Sequence, residues 1–154
     1  MQYVTFFVQD ILYGIPILSV REISRFYHIT QAQGSDERID GLINLRGKIV
    51  PVLNLGTCLD VSPVDHSDLS RFVIIKSEDE LSPEAVSLGI KTCIDNTALL
   101  VNKIGDVVNA DESQAEPPPA HISHAYFSGV IKLENELLTV LSTEWLGAIG
   151  KNPK

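Results

Sequence analysis

The sequence predicts an all-β fold, built as barrels or a sandwich, with two similar halves related by an internal duplication. Three observations lead to this prediction. Short segments alternate apolar and polar residues with the period of two that is typical of strands. No long amphipathic helical pattern occurs between them. One strand–turn–strand pattern is present twice along the 154 residues, which is the signature of a repeated structural unit.

The first predicted strand contains Val4, Phe6 and Val8, which alternate with more polar or aromatic neighbours. A period of three from Val20 to Phe26 favours a short helix or 3₁₀ turn instead, and Thr143 to Ile149 predicts a short helix anchored by a buried Trp145. The polar segment 31–40, the acidic segment 77–84 and the proline-containing segment 109–121 are predicted as loops. The remaining strand-like segments are 13–17, 41–55, 71–76, 86–94, 99–108 and 129–141.

The duplication is clearest where residues 41–53 align with residues 129–141 at a shift of 88 without gaps. A second match, of residues 15–23 with residues 99–107, precedes it at a shift of 84. Two matches in the same order at nearly the same shift indicate two similar halves. We therefore predict one domain over 1–150 with a tail at 151–154; its barrels would span about 12–70 and 71–149, and the first strand could be shared between them.

The two halves differ in charge at one pair of aligned positions. The first half has Glu22 and Arg46, where the second half has Asp106 and Glu134. If the halves fold alike, the first pair attracts and its counterpart repels. Exposed ion pairs add little to stability, so this pair is either an ordinary surface pair or a rigid polar feature that a partner reads.

Charge and composition exclude several classes of function. Twenty acidic and twelve basic residues give a net charge of −8, and residues 61–154 carry most of it, with fourteen acids and seven bases. An acidic surface repels phosphate backbones and anionic lipids, so we predict no binding of nucleic acid and no direct membrane insertion. The chain shows no export signal and only two cysteines, Cys58 and Cys93, which predicts a cytoplasmic protein with reduced thiols.

Two motifs could suggest chemistry, and both are incomplete. The segment Asp65-His66-Ser67-Asp68 contains the residue types of a nucleophilic triad, but adjacent loop residues do not readily adopt triad geometry. His121 and His124 could be two metal ligands, but the sequence around them has no Cys or carboxylate cluster to complete a site. No glycine-rich nucleotide-binding motif is present. We therefore predict no catalytic residues, no metal and no cofactor.

Four segments carry a resemblance to a known family. Val20-Arg-Glu-Ile23 and the long motif from Gly41 to Leu55, Gly-Leu-Ile-Asn-Leu-Arg-Gly-Lys-Ile-Val-Pro-Val-Leu-Asn-Leu, are the specific ones. Residues 100–108 and 129–133 match more loosely. From about Tyr3 to Ile149 the chain resembles the chemotaxis coupling protein family, CheW. The resemblance implies two five-stranded SH3-like barrels and a non-catalytic adaptor.

In that family the adaptor bridges the cytoplasmic tips of chemoreceptors to the regulatory domain of the histidine kinase CheA, in arrays beneath the membrane. The resemblance implies the same two partners here. An alternative is a tethering adaptor, or a specialised coupler for pilus-type motility, that binds receptors or kinase outside the main pathway. Six matched positions are linked to partner contact, and three aliphatic residues would line a receptor groove between the barrels, although plain core packing also accounts for Ile17 and Val101. The matched positions are Val20, Glu22, Ile23, Gly41, Arg46 and Gly47, and the groove residues are Ile17, Val101 and Ile104.

Overall fold

Two five-stranded sheets make up the fold in a computed structural model that describes residues 1–25, 27–31, 36–117 and 126–151. The first sheet has the strand order β8-β1-β2-β10-β9, and the second has the order β3-β6-β7-β5-β4. The strands are β1 (Gln2–Val8), β2 (Ile11–Pro16), β3 (Val20–Ser24), β4 (Ile39–Leu45), β5 (Lys48–Asn54), β6 (Arg71–Ile75), β7 (Thr97–Val101), β8 (Lys103–Asn109), β9 (Phe127–Lys132) and β10 (Leu137–Leu141). The helices are α1 (Leu55–Cys58), α2 (Pro83–Ser87) and α3 (Thr143–Lys151), with 3₁₀ turns at Ile17–Ser19, Glu78–Glu80 and Glu112–Gln114. The all-β prediction with two SH3-like barrels is confirmed.

Burial of the strands explains why these segments form sheets. β7, in the middle of the second sheet, is buried at all five residues, as expected for a continuous apolar run between two strands. The edge strands β3 and β8 are half-exposed. One hydrophobic core joins the sheets, because Phe6 and Ile15 of the first sheet belong to the same buried cluster as Phe72 and Leu99 of the second.

The duplication is confirmed by the strand registers. The β4–β5 hairpin pairs Ile43 with Val50, and the β9–β10 hairpin pairs Ile131 with Leu138, which are the same positions at a shift of 88. β7 lies parallel to β5 as β2 lies parallel to β10. Each strand of one sheet therefore has a counterpart in the other, from β3 and β8 at one edge to β4 and β9 at the opposite edge.

The predicted division into barrels of residues 12–70 and 71–149 does not match the sheets. Each sheet exchanges strands between the halves of the sequence. The first sheet takes β1 and β2 from the first half and β8, β9 and β10 from the second. The second sheet takes β3, β4 and β5 from the first half and β6 and β7 from the second. The boundary near residue 70 thus separates the two sequence repeats but not the two sheets. The chain passes from one sheet to the other at Ile17–Ser19 and at Asn102.

Three local predictions are wrong. The segment Val20–Ser24 is strand β3 and not a helical turn; the 3₁₀ turn comes just before it, at Ile17–Ser19. Residues 86–94 do not form a strand: Ser82 caps helix α2 by accepting a hydrogen bond of 3.1 Å from the Ala85 amide, and this stabilises a helical start. Trp145 is 55% exposed, and the buried hydrophobic side chains described in α3 are those of Leu146 and Ile149.

Candidate partner-binding surface

Glu22 and Arg46 form a two-pronged ion pair across the second sheet's two edges. Arg46 Nη1 donates to Glu22 Oε2 at 2.6 Å, and Arg46 Nη2 donates to Oε1 at 2.9 Å. Glu22 lies on β3 and Arg46 follows β4, and these strands are at opposite ends of the strand order. The pair therefore joins the edges of a sheet that has curled into a barrel, as the comparison of the two halves predicted.

The turn between β4 and β5 presents Arg46 on a two-residue loop. Leu45 pairs with Lys48 across the hairpin, and Arg46 and Gly47 both have positive φ, at +50° and +88°. Two positive φ values define the turn type whose twist suits a tight hairpin. Asn44 Oδ1 accepts a hydrogen bond of 2.8 Å from the Gly47 amide and holds the turn in shape. The chain therefore reverses its direction at Arg46 and Gly47.

The left-handed conformation is unfavourable for a side chain as large as that of Arg46. Asn or Gly would fit this turn position with less strain. The turn alone therefore does not explain an arginine here, and the ion pair with Glu22 is one contact that this residue adds.

The two side chains of the pair differ in their exposure to solvent. The Arg46 side chain is 64% exposed, whereas the Glu22 side chain is 21% exposed. Hydrogen bonds from Arg46 lower the pKa of Glu22, so this carboxylate stays ionised at neutral pH. The geometry fixes a guanidinium at the surface, with its orientation set by two parallel hydrogen bonds.

Sequence analysis missed a buried polar residue behind the pair. Asn96 is 3% exposed, and its Nδ2 donates to the Ile75 carbonyl at 3.0 Å and to Glu80 Oε1 at 2.6 Å. Its Oδ1 accepts from Lys48 Nζ at 3.1 Å and from Arg21 Nη1 at 3.3 Å. Asn96 therefore connects β3, β5, β6 and the 3₁₀ turn Glu78–Glu80. No periodic signal in the sequence could have indicated it.

Exposed isoleucines flank the ion pair in sequence. Ile23, next to Glu22 on β3, is 41% exposed, and Ile49, at the start of β5, is 75% exposed. Ile23 is among the predicted contact residues, whereas Ile49 is not. The side chain of Ile49 points outward because successive side chains of a strand point to opposite faces and the next residue, Val50, is buried. Exposed apolar side chains with charged residues near them are suited to a protein–protein interface, in which an apolar centre is surrounded by polar groups.

Two of the predicted contact residues are buried. Gly41 lies inside the barrel, where an added Cβ would be 2.3 Å from the Thr30 carbonyl oxygen. A glycine is needed at this position because two backbone segments meet there. Val101 is fully buried in the shared core. Gly41 is therefore a structural residue in this fold, and for Val101 the structure agrees with the core packing considered above.

The remaining predicted positions are accessible to different degrees. Gly47 is exposed on the turn. Ile17, Val20 and Ile104 are partly buried and pack against the shared core while keeping some surface. Ile17 begins the crossover between the sheets. These residues could contribute to an apolar groove only through the part of each side chain that the core leaves open.

The motifs considered for chemistry are placed as follows. His66 Nε2 lies 3.7 Å from Asp40 Oδ2, and Ser67 Oγ lies 3.1 Å from Ser70 Oγ. His121 and His124 lie outside the described residues. In the parts of the chain that the structure describes, no three His, Cys, Asp or Glu side chains are grouped in a way that could hold a metal ion. No helix of those parts is long and apolar enough to cross a membrane.

Comparison with known proteins identifies the family to which this fold belongs. The sequence model of the CheW-like domain matches residues 2–148. The chemotaxis protein CheW of Treponema pallidum is 28% identical over 147 residues, which cover 91% of this chain and 78% of that protein. The chemotaxis protein CheW of Bacillus subtilis is 26% identical over 141 residues, which cover 90% and 81%.

A solved structure agrees with these relatives. The scaffolding protein TtCheW of Thermoanaerobacter tengcongensis is similar with a TM-score of 0.78 and 28% sequence identity, over 94% of this chain and 86% of that one. The chain therefore belongs to the CheW-like domain family, which is a family of adaptor and scaffold proteins.

Proposed function

We propose that this protein couples the cytoplasmic tips of chemoreceptors to the regulatory domain of a CheA-type histidine kinase. It would act in the cytoplasm, in arrays attached to membrane receptors, and without catalysis of its own. The proposal is supported by membership of the CheW-like domain family over residues 2–148 and by the relatives named as chemotaxis proteins.

The observation that carries the proposal is the exposed end of the Glu22–Arg46 pair. A partner that approaches Arg46 meets a guanidinium whose orientation is already fixed, so little side-chain entropy is lost on binding. Three bases lie in this cluster, Arg21, Arg46 and Lys48, against the two acids Glu22 and Glu80. The cluster is therefore locally positive on a chain of net charge −8, which favours a partner that brings a carboxylate.

We assign the kinase to this surface and the receptor to the partly open aliphatic residues at the crossover between the sheets. Ile23 and Ile49 add exposed apolar side chains to the first surface. Val20, Ile17 and Ile104 give the second a shallow apolar lining. An apolar lining suits the apolar stripe of a receptor helix, which docks by residues spaced three and four apart.

Calorimetric titration with the regulatory domain of a CheA-type kinase from the same organism tests the proposal. We expect saturable binding that Arg46→Glu weakens at least about tenfold, because the new carboxylate repels both Glu22 and an acidic partner. The melting temperature should fall by less than about 3 °C, since exposed ion pairs add little to stability.

The matched control is Lys132→Glu, which makes the same change in charge on β9, the counterpart of β4 in the first sheet. Lys132 is exposed and contacts only the exposed Glu116 among its described ion pairs, at 3.5 Å. This variant should bind like the wild type. Absence of binding by a well-folded wild-type protein would refute the coupling function and favour the tethering alternative.

A further inference from the structure

Glu80 is the residue of the 77–84 loop that reaches the candidate partner-binding surface. Its Oε1 accepts hydrogen bonds from the Ser77 amide at 2.8 Å, the Ser77 hydroxyl at 3.1 Å and Asn96 Nδ2 at 2.6 Å. Its Oε2 lies 3.2 Å from Arg21 Nη1. One oxygen therefore holds the local turn, while the other holds a side chain of strand β3.

Arg21 stands between two carboxylates. Its Nη1 is close to Glu80, and its Nε is 3.8 Å from Glu22 Oε2. That same oxygen of Glu22 accepts the 2.6 Å hydrogen bond from Arg46. Two guanidinium groups thus compete for one carboxylate oxygen, and at present Arg46 has the short bond while Arg21 has only a long contact.

Glu80 and Asn96 decide this competition. Together they give Arg21 Nη1 two acceptors on the side away from Glu22, at 3.2 Å and 3.3 Å. Among the described ion pairs, loss of the charge of Glu80 leaves Arg21 with one carboxylate, that of Glu22. Because an arginine side chain is flexible and always charged, it would turn toward that carboxylate.

We propose that Glu80 is a positioning residue that restrains Arg21 and thereby leaves Glu22 free to orient Arg46 for the partner. The proposal rests on the coupling function for its binding assay. It makes the 77–84 loop, which lies outside the matched family motifs, part of the interface machinery of this chain. Glu80 acts here through Arg21 and touches neither Glu22 nor Arg46 in the described contacts.

The substitution Glu80→Gln separates the charge from the turn. The 3₁₀ turn is closed by a capping box, in which Glu80 accepts from the Ser77 backbone. Glutamine forms the same box with its amide oxygen, and that oxygen also accepts from Asn96. The glutamine NH2 then takes the place of Oε2, and because an NH2 group only donates, Arg21 loses this acceptor while the turn is kept. We therefore expect the variant to stay folded, which its melting curve checks.

The experiment compares the wild type with Glu80→Gln, Arg21→Gln and the double variant. Titration with the kinase regulatory domain should show binding weakened about threefold to tenfold in Glu80→Gln. Arg21→Gln in the same chain should restore affinity to within about twofold of Arg21→Gln alone, because the competitor for Glu22 is gone. A purely structural role of Glu80 in the turn would not be rescued in this way.

A second measurement needs no partner. In arginine-labelled protein, the Nη–H signals of Arg46 report its two hydrogen bonds to Glu22. We expect faster exchange of these signals in Glu80→Gln and recovery in the double variant. Unchanged Arg46 signals in Glu80→Gln would overturn the inference, and so would equal losses in the single and double variants. Absence of kinase binding by the wild type refutes the coupling function instead, and the Arg46 signals alone then decide the role of Glu80.

Discussion

The structure makes a sharp prediction about Gly41, because the duplication supplies its own control. Gly41 on β4 and Gly129 on β9 occupy equivalent positions in the two hairpins and pair with Val52 and Val140, respectively. Their surroundings differ. An added Cβ at Gly41 would lie 2.3 Å from the Thr30 carbonyl oxygen, whereas one at Gly129 would come no closer than 3.3 Å, to Ala115 Cβ.

The cost of Gly41→Ala has two sources, which are that contact and the φ of +151° at Gly41, a backbone conformation that residues with a side chain rarely adopt. The Thr30 carbonyl oxygen would have to move by roughly 1 Å to reach ordinary contact distance, and overpacking of this kind costs about 1–3 kcal/mol. Thr30 and Leu42 exchange two backbone hydrogen bonds of 2.8 Å, which this movement strains at about 0.5–1.5 kcal/mol each. We expect a loss of about 3 kcal/mol in the free energy of unfolding. Gly129→Ala needs a shift of only a few tenths of an ångström and should cost under about 1 kcal/mol.

Thermal and urea unfolding of the two variants measure this difference. For a domain of this size, about 3 kcal/mol lowers the melting temperature by roughly 6–12 °C, against less than about 4 °C for Gly129→Ala. Equal shifts in the two variants would refute the close-approach argument. A Gly41→Ala protein that keeps its melting temperature but loses partner binding would show that Gly41 is a contact residue after all.

Three further predictions follow from burial, charge and topology. Hydrogen bonds from the Arg38 guanidinium lower the pKa of the Asp36 carboxyl to about 2. The ionised carboxylate therefore adds stability to the folded protein above about pH 4, and this stability is lost as the pH falls through 2. The difference in urea midpoint between wild type and Asp36→Asn should therefore shrink over that range, and a constant difference would contradict it. Burial raises the pKa of Cys58 to about 12, so mass spectrometry should find it unalkylated by iodoacetamide at pH 8 until the protein unfolds. Fragments 1–70 and 71–154 should each be unfolded alone by circular dichroism and should fold when mixed, because both sheets need strands from both fragments; a folded single fragment would disprove this.

The sequence predicted the fold class and the duplication because both depend on local patterns. Apolar alternation identifies a strand, and the aligned hairpins share one register at residues 41–53 and 129–141. The exchange of strands between the halves could not be predicted in this way. Contacts between residues far apart in sequence decide which strands pair. The alternation of apolar residues does not distinguish these pairings, because it is the same for every pairing that keeps the same face of the strand inward.

The candidate site was predictable to the extent that the two halves could be compared. Glu22 and Arg46 were singled out because their counterparts are both acids, and the ion pair is present in the structure. The sequence left Val101 open between groove and core, because an aliphatic residue has the same sequence signature in both, and the packing of the second sheet against the first places it in the core. Glu80 and Asn96 come from loops, where no periodicity relates a residue to its neighbours in space.

The two barrels have equivalent strand orders but carry different side chains on their surfaces. At the positions of Glu22 and Arg46, the first sheet carries Asp106 and Glu134, which are both exposed. Two like charges cannot form the bridge that joins the edges of the second sheet, and positive φ occurs at Arg46 but not at Glu134. A partner that recognises a fixed guanidinium can therefore dock on one barrel only. Under the proposed coupling function, a twofold-like scaffold with one such face would bind this partner in one orientation and so hold two different partners in a defined arrangement.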